Sequence, residues 1–378
     1  MLLGLALPNP VMPSAGPGAD SGTAIAAAAA GGAGAVFSRT VTVNPVVHAE
    51  PSMARVARDT LIHRQRGSAR SFADWVAYEY PPALAAARTH GVPFIASLGY
   101  TAEDVRRLGP ALAALGVDAL ELSLHETDRV QAVAAARALR QAVDLPVIAK
   151  LTPHPGEDLA ELAAELEPYV DAFTCVDSFG PVLSLDVSTG GAALGSPFGI
   201  GYQSGASIRP IAQRIVFDVA RRVSRPVIAC GGITSGSDAI EMLMLGASAV
   251  QVCTHALLYG PAVYGKIARE MSDWLDAHGY GSAAEVSGAY LRKYGAGQRV
   301  VVAKEESPRL VADKCLKCSL CGQVCAYDAI VAQTRSLPVI DNEACFQCGL
   351  CVSVCPADAL RFRPRDEVTM PGNRGGAA

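Results

Sequence analysis

The chain has 378 residues, 50% of them hydrophobic and 18% charged, with a formal net charge of −4 at pH 7. That length holds one large domain and a small one, and the mild acidity excludes a general polyanion-binding surface, nucleic acid included. No stretch has the basic flank of a secretory leader, and the run Ala24–Ala35 is broken by Gly31, Gly32 and Gly34 and too weakly apolar to span a bilayer. A cytoplasmic protein that does not engage membranes is expected, in a compartment where thiols stay reduced.

Over the first 280 or so residues, short β-rich runs alternate with Ala/Leu-rich helical stretches. Strands are predicted at Val11–Ala15, Ala35–Arg39, Pro93–Leu98, Ala119–Leu124, Pro146–Leu151, Ala172–Val176, Val227–Ala229 and Ala249–Val252. Helical patterns cover Thr101–Leu115, Asp128–Ala142, Gly156–Leu166, Pro210–Val223, Ser235–Leu245 and Pro261–His278. Eight strands, most followed by a helix, predict an α/β fold, a TIM (β/α)8 barrel over residues 1–280. Two insertions interrupt the alternation: Val41–Thr89, rich in Arg, His and aromatics, and Phe179–Gln203, rich in Gly, Ser and Pro. Long βα connections lie at the active-site face of a barrel. Residues 281–312 read as a linker with one short helix at Ala283–Lys293, residues 313–365 as a second domain, and 366–378 as a disordered Pro/Gly/Arg-rich tail.

The second domain carries two matched runs, Cys315-x2-Cys318-x2-Cys321-x3-Cys325 and Cys345-x2-Cys348-x2-Cys351-x3-Cys355, the latter followed by Pro356. Repeated C-x2-C-x2-C-x3-C is the signature of a bacterial-type ferredoxin module with two [4Fe–4S] clusters. Three thiolates at i, i+3 and i+6 cap three irons of one cube, and the fourth cysteine reaches to the other cluster. The expected ligand sets are Cys315, Cys318, Cys321 and Cys355, and Cys345, Cys348, Cys351 and Cys325. Zinc sites use two ligand pairs rather than two runs of four. The thirty-residue offset between the runs suits a duplicated, pseudo-symmetric fold. Of the eleven cysteines, the remaining Cys175, Cys230 and Cys253 are isolated in apolar stretches and expected as buried thiols.

In the barrel, the loops after the seventh and eighth strands read Cys230-Gly231-Gly232-Ile233-Thr234-Ser235-Gly236 and Gln251-Val252-Cys253-Thr254. Glycines let backbone amides close on a phosphate, and the following helix N-terminus adds its positive end. Lys150 is the single lysine in the first 265 residues and ends the apolar run Val147-Ile148-Ala149. A lysine there is seldom buried without a partner. At the mouth of a barrel it could face a flavin ring.

These features together resemble the dihydroorotate dehydrogenase family, and most its dihydropyrimidine dehydrogenase branch, in which a flavin barrel is fused to two [4Fe–4S] clusters. The matching pieces are Pro13-Ser14-Ala15-Gly16-Pro17, Ala149-Lys150-Leu151-Thr152-Pro153, Ser204-Gly205-Ala206-Ser207-Ile208-Arg209-Pro210, the Gly-Gly loop and Gln251–Thr254. The resemblance implies FMN with Ala15 and Gly16 beside the ring and Lys150 near its N1–C2 edge. It places Ser204 and Gly205 along the ring, and Gly231, Gly232 and Thr254, with Cys253 in the same loop, around the phosphate. Arg39, Thr40 and Asp177 count among the cofactor contacts.

The substrate half departs from the family pattern. A Lys-Ser or Lys-Thr pair becomes Arg39-Thr40, the motif E-L-N-L-S-C-P becomes Glu121-Leu122-Ser123-Leu124-His125-Glu126-Thr127, and an Asn-Thr pair becomes Asp177-Ser178. Arginine turns a point charge into a fork, and the asparagines that read a pyrimidine amide edge are gone. A small, carbonyl-containing substrate other than a pyrimidine is expected, because sites built on specific hydrogen bonds reject analogues that leave groups unpaired. His125 is the favoured proton partner for hydride transfer, with Glu126 second and Arg39 assisting. His48, His63 and Arg55 are weaker candidates in the first insertion. No second Gly-rich βα fingerprint is found, so a separate NAD(P)H–FAD subunit or a ferredoxin is expected as electron partner, and an oligomer is expected. Two rival readings remain at this stage: a dihydropyrimidine dehydrogenase subunit with divergent recognition residues, and an electron-transfer subunit that has lost substrate chemistry.

Overall fold

Eight buried runs hydrogen-bond into one parallel sheet in the computed structural model, which describes residues 1–125, 127–153, 156–294 and 307–362. They are β1 (Val11–Pro13), β2 (Val36–Phe37), β3 (Phe94–Leu98), β4 (Ala119–Ser123), β5 (Val147–Leu151), β6 (Ala172–Cys175), β7 (Val227–Cys230) and β8 (Ala247–Val252). The order is β1-β8-β7-β6-β5-β4-β3-β2. At the seam between β2 and β1 the Gly34 amide donates to the Val11 carbonyl at 2.7 Å. A Cβ on Gly34 would collide with the Asn9 backbone, so the seam requires glycine.

Each strand is followed by a helix on the outside: α1 (Gly22–Ala30), α2 (Tyr80–His90), α3 (Ala102–Ala114), α4 (Arg129–Ala142), α5 (Leu159–Leu166), α6 (Arg209–Arg222), α7 (Gly236–Met244) and α8 (Val263–Ala277). The starts follow local chemistry. Thr101 with Asp104, and Asp128 with Gln131, form reciprocal caps on α3 and α4. Asp158 and Ser235 cap α5 and α7. The fold is thus the expected barrel, with three local differences. The small-residue run holds α1, capped by Ser21. The first insertion ends inside α2, and a further short helix, Thr254–Tyr259, precedes α8. β1 and β2 stop at Pro13 and Phe37, short of Ala15 and Arg39, because the chain there turns out over the barrel mouth.

The period-two alternation of strand side chains builds two distinct environments. Outward residues such as Val36, Leu120, Leu122, Val147 and Phe173 pack under the helices. Inward residues Met12, Phe37, Ile95, Ala119, Ile148, Ala172, Ile228 and Ala249 fill the lower barrel, which Leu2 closes from beneath. One step further along the same strands the inward positions become polar: Ser14, Ser97, Glu121, Lys150, Thr174 and Gln251.

The two insertions, expected as separate long loops, meet in a four-stranded antiparallel sheet, ordered Met53–Ala57, Thr60–His63, Ile200–Gly205, Phe179–Leu183. Tyr202 pairs with His63 and Ser204 with Leu61. A non-local pairing of this kind leaves no mark in either segment's own periodicity. Trp75, fully buried, anchors the first insertion by donating from Nε1 to Ser68 Oγ at 2.9 Å.

The chain divides into two compact units at Gly297/Gln298, later than the expected boundary at 280. Residues expected to open the linker pack on the barrel instead: Ser287 Oγ donates to the Ala247 carbonyl at 2.8 Å, and the Gly288 amide to Leu243 at 2.8 Å. The expected single helix there is two, Ala283–Val286 and Ala289–Tyr294. The rest of the linker up to 306, and the tail, lie outside the described residues.

The second unit is duplicated. Two antiparallel strand pairs, Arg309–Leu310 with Leu360–Arg361 and Ile330–Val331 with Val339–Ile340, flank short helices at Leu320–Gln323 and Leu350–Ser353. Left-handed residues recur thirty positions apart: Lys317 and Gln347, Ser319 and Gly349, Asp328 and Asp358. Among the described residues no helix is long and apolar enough to cross a membrane.

Candidate active site

The polar layer of the barrel forms the floor of a cleft at the strands' C-terminal ends, where Ser14, Ser123, Lys150 and Asp177 line it. β5 delivers Lys150, 3% exposed, inward beneath it. The ammonium donates to Ser14 Oγ at 2.6 Å and pairs with Asp177 Oδ1 at 3.1 Å, with Glu121 Oε1 at 3.9 Å. Burial opposes the charge on Lys150, but the Asp177 and Glu121 carboxylates outweigh it and hold the ammonium above its ordinary range. Burial likewise opposes ionisation of Asp177, and Lys150, His125 and His63 outweigh it, so its carboxyl lies well below the usual carboxylate range.

Arg39 comes off the end of β2 and is 3% exposed. Its Nη2 donates to Gln65 Oε1 at 3.1 Å and to the Gly67 carbonyl at 3.3 Å. Its buried Nε has no hydrogen-bond partner, and among the described residues no carboxylate pairs with this guanidinium. A buried cation without a counter-ion is costly unless a ligand supplies the charge.

The antiparallel sheet adds a wall: Leu61, His63, Gln65, Arg66 and Ser204 line the cleft. His63 is half-buried, with its Nδ1 accepting from the Gln65 amide at 3.4 Å. Burial, helped by His125, Arg39 and Lys150 and opposed by Asp177, pushes its pKa down to about 4. His125 takes a different place. It is 1% exposed, its ring 4.5 Å from that of Tyr202, and its Nδ1 3.7 Å from Asp177 Oδ2, beyond hydrogen-bond range. It does not line the cleft, and Glu126 lies outside the described residues.

Of the other residues singled out from sequence, Ala15, Gly16, Thr40, Ser123 and Cys253 line the cleft with Arg39, Lys150, Asp177 and Ser204. Gly205, Gly231, Gly232 and Thr254 do not, although Thr254 Oγ1 hydrogen-bonds to Ser204 Oγ at 2.9 Å. A Cβ at Gly16 would strike Cys253 Sγ, and one at Gly232, where φ is +80°, would strike Arg209. Cys175 and Cys230 are buried, and Cys253, half-buried, has its thiol pushed up by burial. Gln65 and the contacts that Ser14 and Glu121 make with Lys150 lie beyond the sequence reading, and His63, a weaker candidate there, lines the cleft. Glu121 was visible as an acid in a strand whose inward neighbours are apolar; His63 needed the cross-insertion pairing. His48 binds the Gly67 carbonyl at 3.0 Å and Arg55 is exposed, each away from the cleft lining.

In the second unit, two voids of about 420 and 320 Å³ are lined by four cysteines each. Cys315, Cys318, Cys321 and Cys355 face one; Cys325, Cys345, Cys348 and Cys351 face the other. Among the described residues no three metal-ligating side chains converge on one ion position. Eight soft sulfur donors around two such spaces fit cubane clusters.

Residues 112–275 match the family model described as dihydroorotate dehydrogenase, and residues 309–362 that of a 4Fe-4S dicluster domain. The dihydroorotate dehydrogenase B (NAD(+)) catalytic subunit of Methanocella arvoryzae is 30% identical over 286 residues, 72% of this chain and 91% of that protein. Its counterpart in Methanothermobacter thermautotrophicus is 40% identical over 152 residues, 40% of this chain and 49% of that protein. The Pyrococcus abyssi subunit is 38% identical over 157 residues, 41% of this chain and 51% of that protein. The chain thus spans about half the length of these last two relatives.

Proposed function

The chain belongs to the dihydroorotate dehydrogenase family, and we propose that it is an FMN-dependent iron–sulfur oxidoreductase acting on the activated C–C bond of a small, anionic carbonyl compound other than a pyrimidine. The observation that carries this reading is Arg39, buried at the cleft wall with no carboxylate partner among the described residues, opposite the lysine held by Ser14 and Asp177. When bound, FMN supplies hydride chemistry and the two [4Fe–4S] clusters supply one-electron chemistry.

Ala15, Gly16, Thr40, Lys150 and Ser204 are the cleft residues that would hold the flavin ring, with Gly205 beside Ser204, and Gly231, Gly232, Thr254 and the Cys253 of the same loop are proposed for its phosphate. The two groups of four cysteines would hold the clusters. Arg39 offers a fork to a substrate carboxylate. Ser123 stands in the cleft where the family carries an amide, so the site offers a single hydroxyl in place of a donor–acceptor pair. His63, neutral at pH 7 because burial lowers its pKa to about 4, keeps its proton on Nε2 when Nδ1 accepts from the Gln65 amide. A neutral imidazole so fixed donates to a substrate carbonyl without surrendering the proton. His125, enclosed behind Asp177, is assigned support of that carboxylate rather than direct proton exchange. A separate subunit or a ferredoxin is proposed as electron partner, consistent with relatives named as catalytic subunits.

The test is anaerobic. The purified protein is assayed for FMN and iron, and its flavin absorbance followed while dihydroorotate, dihydrouracil and dihydrothymine are added in turn. None should bleach it, dithionite should, and the reduced protein should be reoxidised by a small unsaturated carbonyl compound bearing a carboxylate. Bleaching by any of the three dihydropyrimidines overturns the substrate assignment, and absence of FMN overturns the flavin reading.

A further inference from the structure

Lys150 carries more negative charge around it than orienting an ammonium requires. Ser14 Oγ alone, at 2.6 Å, fixes its direction, yet Asp177 stands at 3.1 Å and Glu121 at 3.9 Å. Glu121 is fully buried at the centre of the barrel. Its Oε2 accepts from Thr174 Oγ1 at 3.0 Å and from Gln251 Nε2 at 2.9 Å, while its buried Oε1, the oxygen nearer Lys150, has no hydrogen-bond partner. Three cations, Lys150, Arg39 and Arg66, line the cleft, and both carboxylates, Asp177 and Glu121, stand beside Lys150. In a buried site, charges a few ångströms apart act with little screening.

We infer that Asp177 and Glu121 are counter-ions that cancel the positive field of Lys150 beneath the cofactor, and so hold the flavin at a low reduction potential suited to delivering hydride rather than accepting it. The inference rests on the flavin reading above. Taking up two electrons and one proton leaves a flavin with one added negative charge. An unopposed buried lysine favours that charge, and a lysine matched by two carboxylates does not. Asp177 and Glu121 act through Lys150, so they are positioning residues, and their effect should appear in the potential itself.

The experiment is an anaerobic redox titration of the full-length holoprotein. The flavin band is followed optically, and the cluster contribution is separated by low-temperature electron paramagnetic resonance on the same samples. Asp177→Asn should raise the flavin midpoint by at least about 30 mV, a tenfold change for a two-electron couple. Glu121→Gln, at 3.9 Å rather than 3.1 Å from the ammonium, should raise it by less, and the surface change Arg129→Ala should not move it. An unchanged or lowered midpoint in both carboxylate variants, with FMN bound, overturns the inference. Loss of FMN by those variants while the parent keeps it also overturns it, since the carboxylates would then hold the flavin rather than tune it. A parent protein without FMN instead removes the flavin reading beneath it.

Discussion

Apolar side chains from every strand pack on both faces of the barrel sheet, whereas the buried cluster of the cysteine unit consists of Ile330, Cys351 and Leu360. Each fully buried aliphatic side chain contributes about 1.5–3 kcal/mol. Ordering a residue costs on the order of 1–2 kcal/mol in backbone entropy alone. Six buried apolar side chains, Ala329, Ile330, Cys345, Cys351, Ala359 and Leu360, cannot offset that for a segment running from 307 to 362, so ligation must supply what burial does not. The barrel's lower layer stands on burial, and its upper layer lies between the two cases. There Lys150, Asp177 and Glu121 are stable only as a matched set.

The largest effect expected from this contrast follows iron removal. Chelation under reducing conditions should open the chain beyond 307 to limited proteolysis while the barrel stays protected, and a cysteine unit that remains resistant without iron would break the comparison. Next comes Lys150→Met, which strands the buried Glu121 and the half-buried Asp177 and should cost roughly 3–5 kcal/mol in denaturant unfolding of the barrel. Adding Asp177→Asn and Glu121→Gln to it should recover most of that loss; no recovery would mean that packing, and not charge, is at stake.

A pH dependence of intermediate size follows from His63. Its folded pKa, about 4, lies below the unfolded value near 6.5, so the unfolded chain binds more protons between them and stability falls as pH drops through that window. The loss is of order 3 kcal/mol, complete below about pH 4. Asp177 adds a loss only at more acid pH, as its depressed carboxyl finally protonates. His63→Gln should flatten the profile between pH 6.5 and 4 in thermal melts. The smallest effect is Arg39→Met. It should raise the KM for a carboxylate substrate by about ten- to a hundred-fold and leave the KM for an uncharged analogue unchanged, consistent with loss of a charged hydrogen bond worth about 1.5–3 kcal/mol.

Much of this was legible in the sequence, for reasons that differ by region. The barrel strands announced themselves because residues such as Val147, Ile148 and Ala149 are buried on both faces, which leaves continuous apolar runs. Lys150 stood out as a lone charge at the end of such a run, and the cysteine spacing is a local requirement of cluster geometry that no partner element needs to complete. The short α1 was masked by the glycines that follow it, and the expected linker helix proved to be two helices whose packing on the barrel depends on the surface they cover. The cleft wall was beyond reach for a deeper reason. His63 and Ser204 belong to segments separated by more than a hundred residues, and each becomes a wall residue only through pairing with the other's strand. The same pairing sets Tyr202 against His125 and brings His63 to the cleft. Local spacing and periodicity therefore determined the barrel, the iron–sulfur clusters and the lysine, while the flavin came from the family resemblance. The tertiary structure decided which imidazole meets the cleft and which carboxylates meet the lysine, because burial and charge pairing are properties of neighbours and not of order along the chain.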